Sequence, residues 1–218
     1  IAPYRVPRPT DHLRLMNLSP DQRQIVIGTM LGDGYLRLGR GKSERLKNAA
    51  LVIAHGEKQR GYLEWKKARL EPFFTASVPY AYTQTELSPG SQLYVYSSIR
   101  HPAFTAYRRL FYPEGIKRIG PEVLALLEPL GIAVWLMDDG SYHRGRNYIY
   151  VSTNSYTHAE LELTATLFTD RFGFSPYIHS AGRPNQYHLA FNRAAAAVTA
   201  WAASSSKCHL CPRVIAPR

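Results

Sequence analysis

The chain has 218 residues, of which 45% are hydrophobic and 20% charged, values that exclude a disordered or collagen-like chain. No apolar run approaches the roughly 18 residues of a membrane span, so no membrane partner is expected. Lysine and arginine number 27 against 16 aspartates and glutamates, a formal net charge of +11, and with 15 tyrosines this points to a polyanionic partner, nucleic acid first.

Residues 1–19, rich in proline and arginine (Arg5, Arg8, Arg14), read as an extended arm. Ser19-Pro20-Asp21 opens a helix, with Ser19 as N-cap and Pro20 at the first helical position, and Gly32-Asp33-Gly34 stops it. Residues 35–54 predict a two-stranded hairpin, YLRL and AALVIA about a GRGK turn. Residues 55–74 predict a helix with Tyr62, Leu63, Trp65, Leu70 and Phe73 on its apolar face. The strands VPYAYTQTE and QLYVYSSI follow, joined at Ser88-Pro89-Gly90, then a short helix, HPAFTAYRRLFY.

The order then recurs. PEVLALLEPLGIAVWLM is an apolar helix interrupted near Pro129 and stopped at Asp138-Asp139-Gly140. SYHRGRNYIYVS is a hairpin turning at Arg144-Gly145-Arg146, and Thr157 with Glu160 forms the capping box of the next helix. SPYIHSAG and QYHLAFN are strands and RAAAAVTAWAAS a closing helix. The fold class predicted is α+β, with two pseudo-symmetric αββαββα halves at 20–118 and 119–218 behind the basic arm at 1–19. Each half carries one antiparallel sheet.

Each half also contains a helix that is apolar nearly all round and ends in Asp-Gly: IVIGTMLGDGYL and IAVWLMDDGSY. Such a helix must be buried. A carboxylate at its C-terminal end opposes the helix dipole, so Asp33 and Asp139 are costly there unless a cation compensates. A hard divalent metal is the natural candidate. If a pseudo-two-fold relates the halves, the two helices pack together and both carboxylates meet near the axis. Gly28 and Gly32 have the small-xxx-small spacing that lets helix backbones approach. One Asp-Gly is ordinary turn chemistry, but two of them, each after an apolar helix and half a chain apart, call for more. An EF-hand does not fit, because the other oxygen ligands are missing.

These two segments, VIGTMLGDG at 26–34 and IAVWLMDDG at 132–140, resemble the motifs of the LAGLIDADG homing endonucleases of the single-chain, two-motif type. The form WLMDDG and the stretch VSTNSYTHAELELTATLFTDRFG resemble the intron-encoded, organelle-type branch. The resemblance implies two halves joined at a two-helix interface, with each sheet forming a saddle over double-stranded DNA. It implies that Asp33 and Asp139 hold divalent metal, normally Mg²⁺, assisted by the carbonyls of Gly32 and Asp138. Mn²⁺ is then a substitute, and Ca²⁺ supports binding without cleavage. The activity implied is metal-dependent, site-specific hydrolysis of both strands across the minor groove, by a monomer, leaving short 3′ overhangs. In such proteins a lysine from each half polarises the phosphate or orders water. IKRIGP offers Lys117 by chemistry and Arg118 by its distance from Pro121. CPRVIAP offers Arg213, where arginine replaces lysine and cannot act as a general base.

A β-ribbon fits the major groove, where arginine, asparagine and glutamine read base edges. The candidates are Arg37, Arg40, Lys42, Arg45 and Lys47 in the first hairpin and Tyr80, Tyr82, Tyr94 and Tyr96 in the second. The other half offers Arg144, Arg146, Tyr148, Arg183, Asn185, Gln186 and His188. Different residues at matching places imply an imperfectly palindromic target. His55, His101, His143 and His158 fall at predicted turns or helix starts, which assigns them surface roles. Cys208-His209-Leu210-Cys211 resembles half of a zinc knuckle, but no second pair exists to complete four ligands. Two cysteines fit a reducing compartment, and the first residues lack an apolar signal core, so an organelle or a prokaryotic cytoplasm is expected. With no splicing-type residues at either end, an embedded intein is not expected. Two other readings stand beside the endonuclease: a maturase of the same fold that binds its host intron RNA, and a DNA-binding regulator without cleavage. Retention of both aspartates opposes the regulator.

Overall fold

Ser19 caps the first helix through a reciprocal pair of bonds. Its hydroxyl accepts the Gln22 amide at 3.2 Å, and the Gln22 side chain accepts the Ser19 amide at 3.0 Å. This opens α1 (Pro20–Leu31), which stops at Gly32. In chain order β1 (Tyr35–Leu38), β2 (Ala49–Gly56), a single 3₁₀ turn (Glu57–Gln59), α2 (Arg60–Arg69), β3 (Tyr80–Thr83), β4 (Gln92–Ser97) and α3 (Pro102–Phe111) complete the first half. The second half has α4 (Pro121–Ala125), α5 (Pro129–Asp139), β5 (Gly140–His143), β6 (Tyr148–Ser152), α6 (His158–Phe172), β7 (Tyr177–Ser180) and β8 (Tyr187–Phe191). The computed structural model describes residues 17–39, 48–84, 90–143 and 148–191. Arg40, Lys42, Arg45, Lys47, Arg144, Arg146, Arg213, the arm through residue 16, the predicted closing helix and the Cys208–Cys211 segment lie outside the described residues.

Both sheets are antiparallel and four-stranded, ordered β1-β2-β4-β3 and β5-β6-β8-β7. The same order in each half is the repeat expected from the sequence. Helices cover one face of each sheet, where alternate residues such as Leu36, Leu51, Ile53 and Tyr96, or Ile149, Val151, Leu189 and Phe191, are buried. Between the halves α1 packs against α5 more extensively than any other pair of helices. Ile25, Val26, Ile27, Met30 and Leu31 bury against Ile132, Val134, Trp135, Leu136 and Met137, apolar all round as an enclosed helix must be. Gln24 fastens the start of α5: its side-chain nitrogen donates to the Leu126 carbonyl at 2.8 Å and its oxygen accepts the Glu128 amide at 2.9 Å.

Two elements differ from expectation. The helix predicted from residue 55 begins at Arg60, because β2 continues through Gly56, with His55 paired to Tyr94 across the sheet. It ends at Arg69, three residues before Pro72, whose ring cannot continue a helix. The predicted break near Pro129 is a full separation into α4 and α5, with Pro129 at the first position of the second.

Candidate active site

The two apolar helices meet backbone to backbone. A Cβ on Gly28 would lie 2.3 Å from the Gly131 carbonyl oxygen and 2.7 Å from Val134 Cβ; one on Gly32 would lie 2.5 Å from Asp138 Cβ. The spacing of Gly28 and Gly32 therefore has the steric purpose expected of it. This contact sets the ends of the helices side by side. Last-turn carbonyls, which a helix cannot satisfy itself, take donors from the opposite half. The Tyr156 hydroxyl donates to Leu31 at 2.8 Å and the Gln59 amide to Met137 at 3.4 Å; one turn further back the Tyr62 hydroxyl adds a bond to the Val134 carbonyl at 3.2 Å.

Asp33 leaves the end of α1 with its side chain half exposed, and Asp139 is the last residue of α5. Lys117 lies within the electrostatic reach of both, and its Nζ donates to the carbonyls on either side of Asp33, Gly32 at 2.6 Å and Gly34 at 3.2 Å. Burial, then the charges of Asp33 and Asp138, push the Asp139 carboxyl up to about 7, with Lys117 pulling against them. Partial burial and Asp138 raise Asp33 in the same way. Burial lowers Lys117, and Asp139, Asp138 and Asp33 hold it up. The carboxylates raise one another's pKa in spite of the lysines beside them, so negative charge is in excess here and a divalent cation fits on the chemistry of the donors. Among the described residues no three His, Cys, Asp or Glu side chains form a closed cage. Two carboxylates leave coordination positions open, as a Mg²⁺-like ion that must also touch phosphate requires.

The geometry separates the residues proposed for the site. Lys117 donates to the backbone on either side of Asp33, whereas Arg118 turns away, 3.7 Å from Glu160. The Gly32 carbonyl, expected to assist a cation, is engaged by the Lys117 ammonium, which repels a second cation at that oxygen. The Asp138 side chain is fully enclosed rather than at the cleft. Its Oδ1 accepts from Lys66 Nζ at 2.5 Å, and Lys66 Nζ lies 3.2 Å from His55 Nε2. Burial raises Asp138 and Lys66 opposes the rise; burial, then Lys66, drives His55 down to about 3, so the ring is neutral. His55 is thus a buried residue near the site, not a surface one. His101 is buried as well, its Nδ1 accepting the Ala103 amide at the start of α3. Sequence reasoning missed Lys66 although a signal existed: residues 62, 66 and 70 stack on the apolar face of α2, so a lysine among them needed a buried partner.

The LAGLIDADG DNA endonuclease family model matches residues 23–198. The chain belongs to that family. It is 28% identical over 213 residues to Protein RecA of Mycobacterium shimoidei, spanning 90% of this chain and 48% of that protein. The chain thus spans about half the length of the first curated relatives it matches. It is 20% identical over 175 residues to the cytochrome b mRNA maturase bI2 of Debaryomyces hansenii, covering 79% of this chain and 64% of that one. Among solved structures, the homing endonuclease I-WcaI bound to its DNA recognition sequence superposes with a TM-score of 0.79 at 17% identity, over 94% of this chain and 90% of that one. A variant of I-DmoI in complex with its target DNA, in the presence of Mn, gives 0.54 at 15% identity, over 88% and 97%. The chain has the two-domain fold of the LAGLIDADG homing endonucleases.

In this LAGLIDADG protein the sheet faces left uncovered by the described residues carry part of the predicted DNA-binding set. Arg37, Tyr80 and Tyr82 share the uncovered face of the first sheet; Tyr80 is 71% exposed, its ring centroid 5.9 Å from that of Tyr82, and Arg37 donates to Ser97 Oγ at 3.3 Å. Tyr94 and Tyr96 are a same-face pair, but on the covered side. Tyr96 is buried with its hydroxyl on Glu64, and Tyr94 lies under the Arg60 guanidinium. Their proposed DNA role is corrected: cross-strand pairing of Ala81 with Tyr94 puts Tyr80 and Tyr82 opposite to them. In the second sheet Tyr148, Tyr150, His179 and His188 form an edge-to-face cluster on the uncovered side. Arg183, Asn185 and Gln186 occupy the turn between β7 and β8, with Asn185 at φ 55°.

These positions predict a contrast. Lys117→Met should slow cleavage by roughly 10²-fold or more, the usual loss when a charged donor at a reacting phosphate is removed. Arg118→Met should change it by less than about threefold, since Arg118 faces Glu160 in a partly exposed pair 3.7 Å apart. Single-turnover rates on one target distinguish them, and equal losses would return the role to Arg118.

Proposed function

We propose that the chain is a site-specific double-strand DNA endonuclease that hydrolyses one phosphodiester on each strand of a long, imperfectly palindromic site across the minor groove, leaving short 3′ overhangs. The observation that carries this reading is that two paired helices from two similar halves bring Asp33 and Asp139 within electrostatic reach of each other, with the Lys117 ammonium beside them. A carboxylate on each side of a pseudo-two-fold suits two antiparallel strands. Asp33 and Asp139 would hold the divalent cations, Mg²⁺ first. A cation held by these two carboxylates would supply Lewis acidity toward a phosphate and lower the pKa of a bound water. Lys117 adds fixed positive charge where the phosphate gains negative charge. Arg37, Tyr80 and Tyr82 on one sheet, and Tyr148, His188 and the Arg183 turn on the other, supply unlike surfaces for two unlike half-sites.

The maturase relative favours a second reading, binding of intron RNA by the same surfaces, and one experiment weighs both. The protein is incubated with a large randomised plasmid library and Mg²⁺, the ends are sequenced, and Asp33→Asn serves as control. Discrete cuts with short 3′ overhangs, absent in the control, are expected. Intact duplex binding with no cuts overturns the cleavage reading, and preferential binding of structured intron RNA over duplex then supports the maturase.

A further inference from the structure

Lys66 has no exposed role. Its side chain is 1% exposed, and its ammonium faces three groups: Asp138 Oδ1 at 2.5 Å, His55 Nε2 at 3.2 Å and the Tyr62 ring at 4.5 Å from the centroid. An ammonium has donors and no acceptor. His55 Nε2 must therefore accept from Lys66, and the proton of the neutral ring sits on Nδ1. That nitrogen lies 4.0 Å from Asp33 Oδ2. The same lysine binds the carboxylate next in sequence to Asp139. Lys66 belongs to the first half and Asp138 to the second, so the contact also ties α2 to the end of α5.

We propose that Lys66 is a positioning residue for both aspartates of the candidate active site: it fixes His55 as the tautomer whose Nδ1–H faces Asp33, and it anchors Asp138 so that Asp139 emerges in register. The position facing Asp138 across the helix pair is Gly32, so this device serves an asymmetric pair of sites. A buried ion pair is a weak device for stability, since hydrophobic groups of like volume often do as well. Its use here is to set direction. Carboxylates and imidazoles behind a metal centre orient the ligands, and their loss typically lowers metal affinity or activity by about 10–100-fold.

This inference rests on the cleavage reading for its rate measurement but not for its spectroscopic one. Lys66→Met alone strands a buried carboxylate and is a poor folding risk, so the test uses the full chain with Lys66→Met and Asp138→Asn together, which leaves no unpaired charge. The ¹⁵N NMR spectrum of His55 reads the tautomer, and single-turnover cleavage with Mg²⁺ is compared with duplex affinity in Ca²⁺ on the target recovered from the library. Wild type is expected to show the Nδ1–H form alone, and the double variant a mixture. The double variant should cleave both strands about 10–100-fold more slowly while its affinity for duplex stays within about threefold. A wild-type ring protonated on Nε2, or a folded double variant that cleaves at the wild-type rate, overturns the proposal. A shift in melting temperature with tautomer and rate unchanged assigns Lys66 to stability alone, which also overturns it. If wild type cuts no DNA, the cleavage reading has failed while the NMR result still decides whether Lys66 sets His55.

Discussion

Asp139→Asn should abolish double-strand cleavage, by roughly three orders of magnitude or more, and at the same time stabilise the metal-free protein above neutral pH. The two effects share one cause. In the fold the Asp139 carboxyl titrates at about 7 rather than its ordinary 3.8, because it is buried beside Asp33 and Asp138. A carboxyl whose folded pKa is raised favours the unfolded chain once that chain ionises. Between pH 4 and 7 the unfolded state has released the proton and the folded state keeps it, so stability falls as pH rises through this window and levels off above about 7. Asparagine has no such titration. After allowance for solvent screening the difference at pH 8 is on the order of 1–2 kcal/mol, or roughly 2–8 °C in melting temperature for a chain of this size. Thermal melts of both proteins in EDTA from pH 4 to 8.5 measure it: the curves should coincide at the acid end and separate with wild type below. Adding Mg²⁺ at pH 8 should raise wild type more than the variant, since the cation supplies the charge that the carboxylates lack. A wild type as stable as the variant at pH 8 in EDTA would remove the electrostatic strain from the account of this site.

The elements with strong local chemistry were legible in the sequence. Ser19 as an N-cap and Thr157 with Glu160 as a capping box announce helix starts by local chemistry, and both form as expected, Ser19 taking Gln22 as a reciprocal partner besides. The pairing of the two Asp-Gly helices was also legible, because a helix without a polar face must be enclosed and two such helices can enclose each other. What could not be read were relations across the chain. Strand alternation places Tyr94 with Tyr96 and Tyr80 with Tyr82, yet only the pairing register decides which pair faces the helices. The choice of Lys117 over Arg118 depends on which of two adjacent side chains the loop turns toward Gly32. His55 looked like a helix start because polar residues follow it, and only the neighbouring strand β4 shows that β2 runs on beneath the site. Within the second motif Asp138 and Asp139 have the same local appearance, while a lysine from the other half holds Asp138 inside and leaves Asp139 at the helix end.

Gly28→Ala should be strongly disruptive although it adds a single methyl group. The added Cβ would stand 2.3 Å from the Gly131 carbonyl oxygen and 2.7 Å from Val134 Cβ, and the first of these is backbone that no rotamer change can move. The helices α1 and α5 must separate or tilt. Overpacking of this kind costs about 1–3 kcal/mol, or roughly 2–12 °C in melting temperature. Substitution by alanine in a helix otherwise gains about 0.5–1 kcal/mol over glycine, so the sign of the result is diagnostic. Gly61 in α2 provides the control: a Cβ there meets nothing within 4 Å, and Gly61→Ala should leave stability unchanged or raise it slightly. The cost at Gly28 should also reach the chemistry. Asp33 and Asp139 are carried at the ends of the two helices that Gly28 allows to touch, and Gly32 repeats the contact one turn later against Asp138 itself. A shift of about 1 Å at this contact moves the carboxylates relative to each other and to Lys117, and misplacement of that size lowers rates by about 10²-fold in sites that work by positioning. The uncovered faces of the sheets lie outside this interface, so duplex affinity should fall much less than the single-turnover rate. A Gly28→Ala protein that melts and cleaves like wild type would mean that the two motif helices do not approach as closely as their glycines allow.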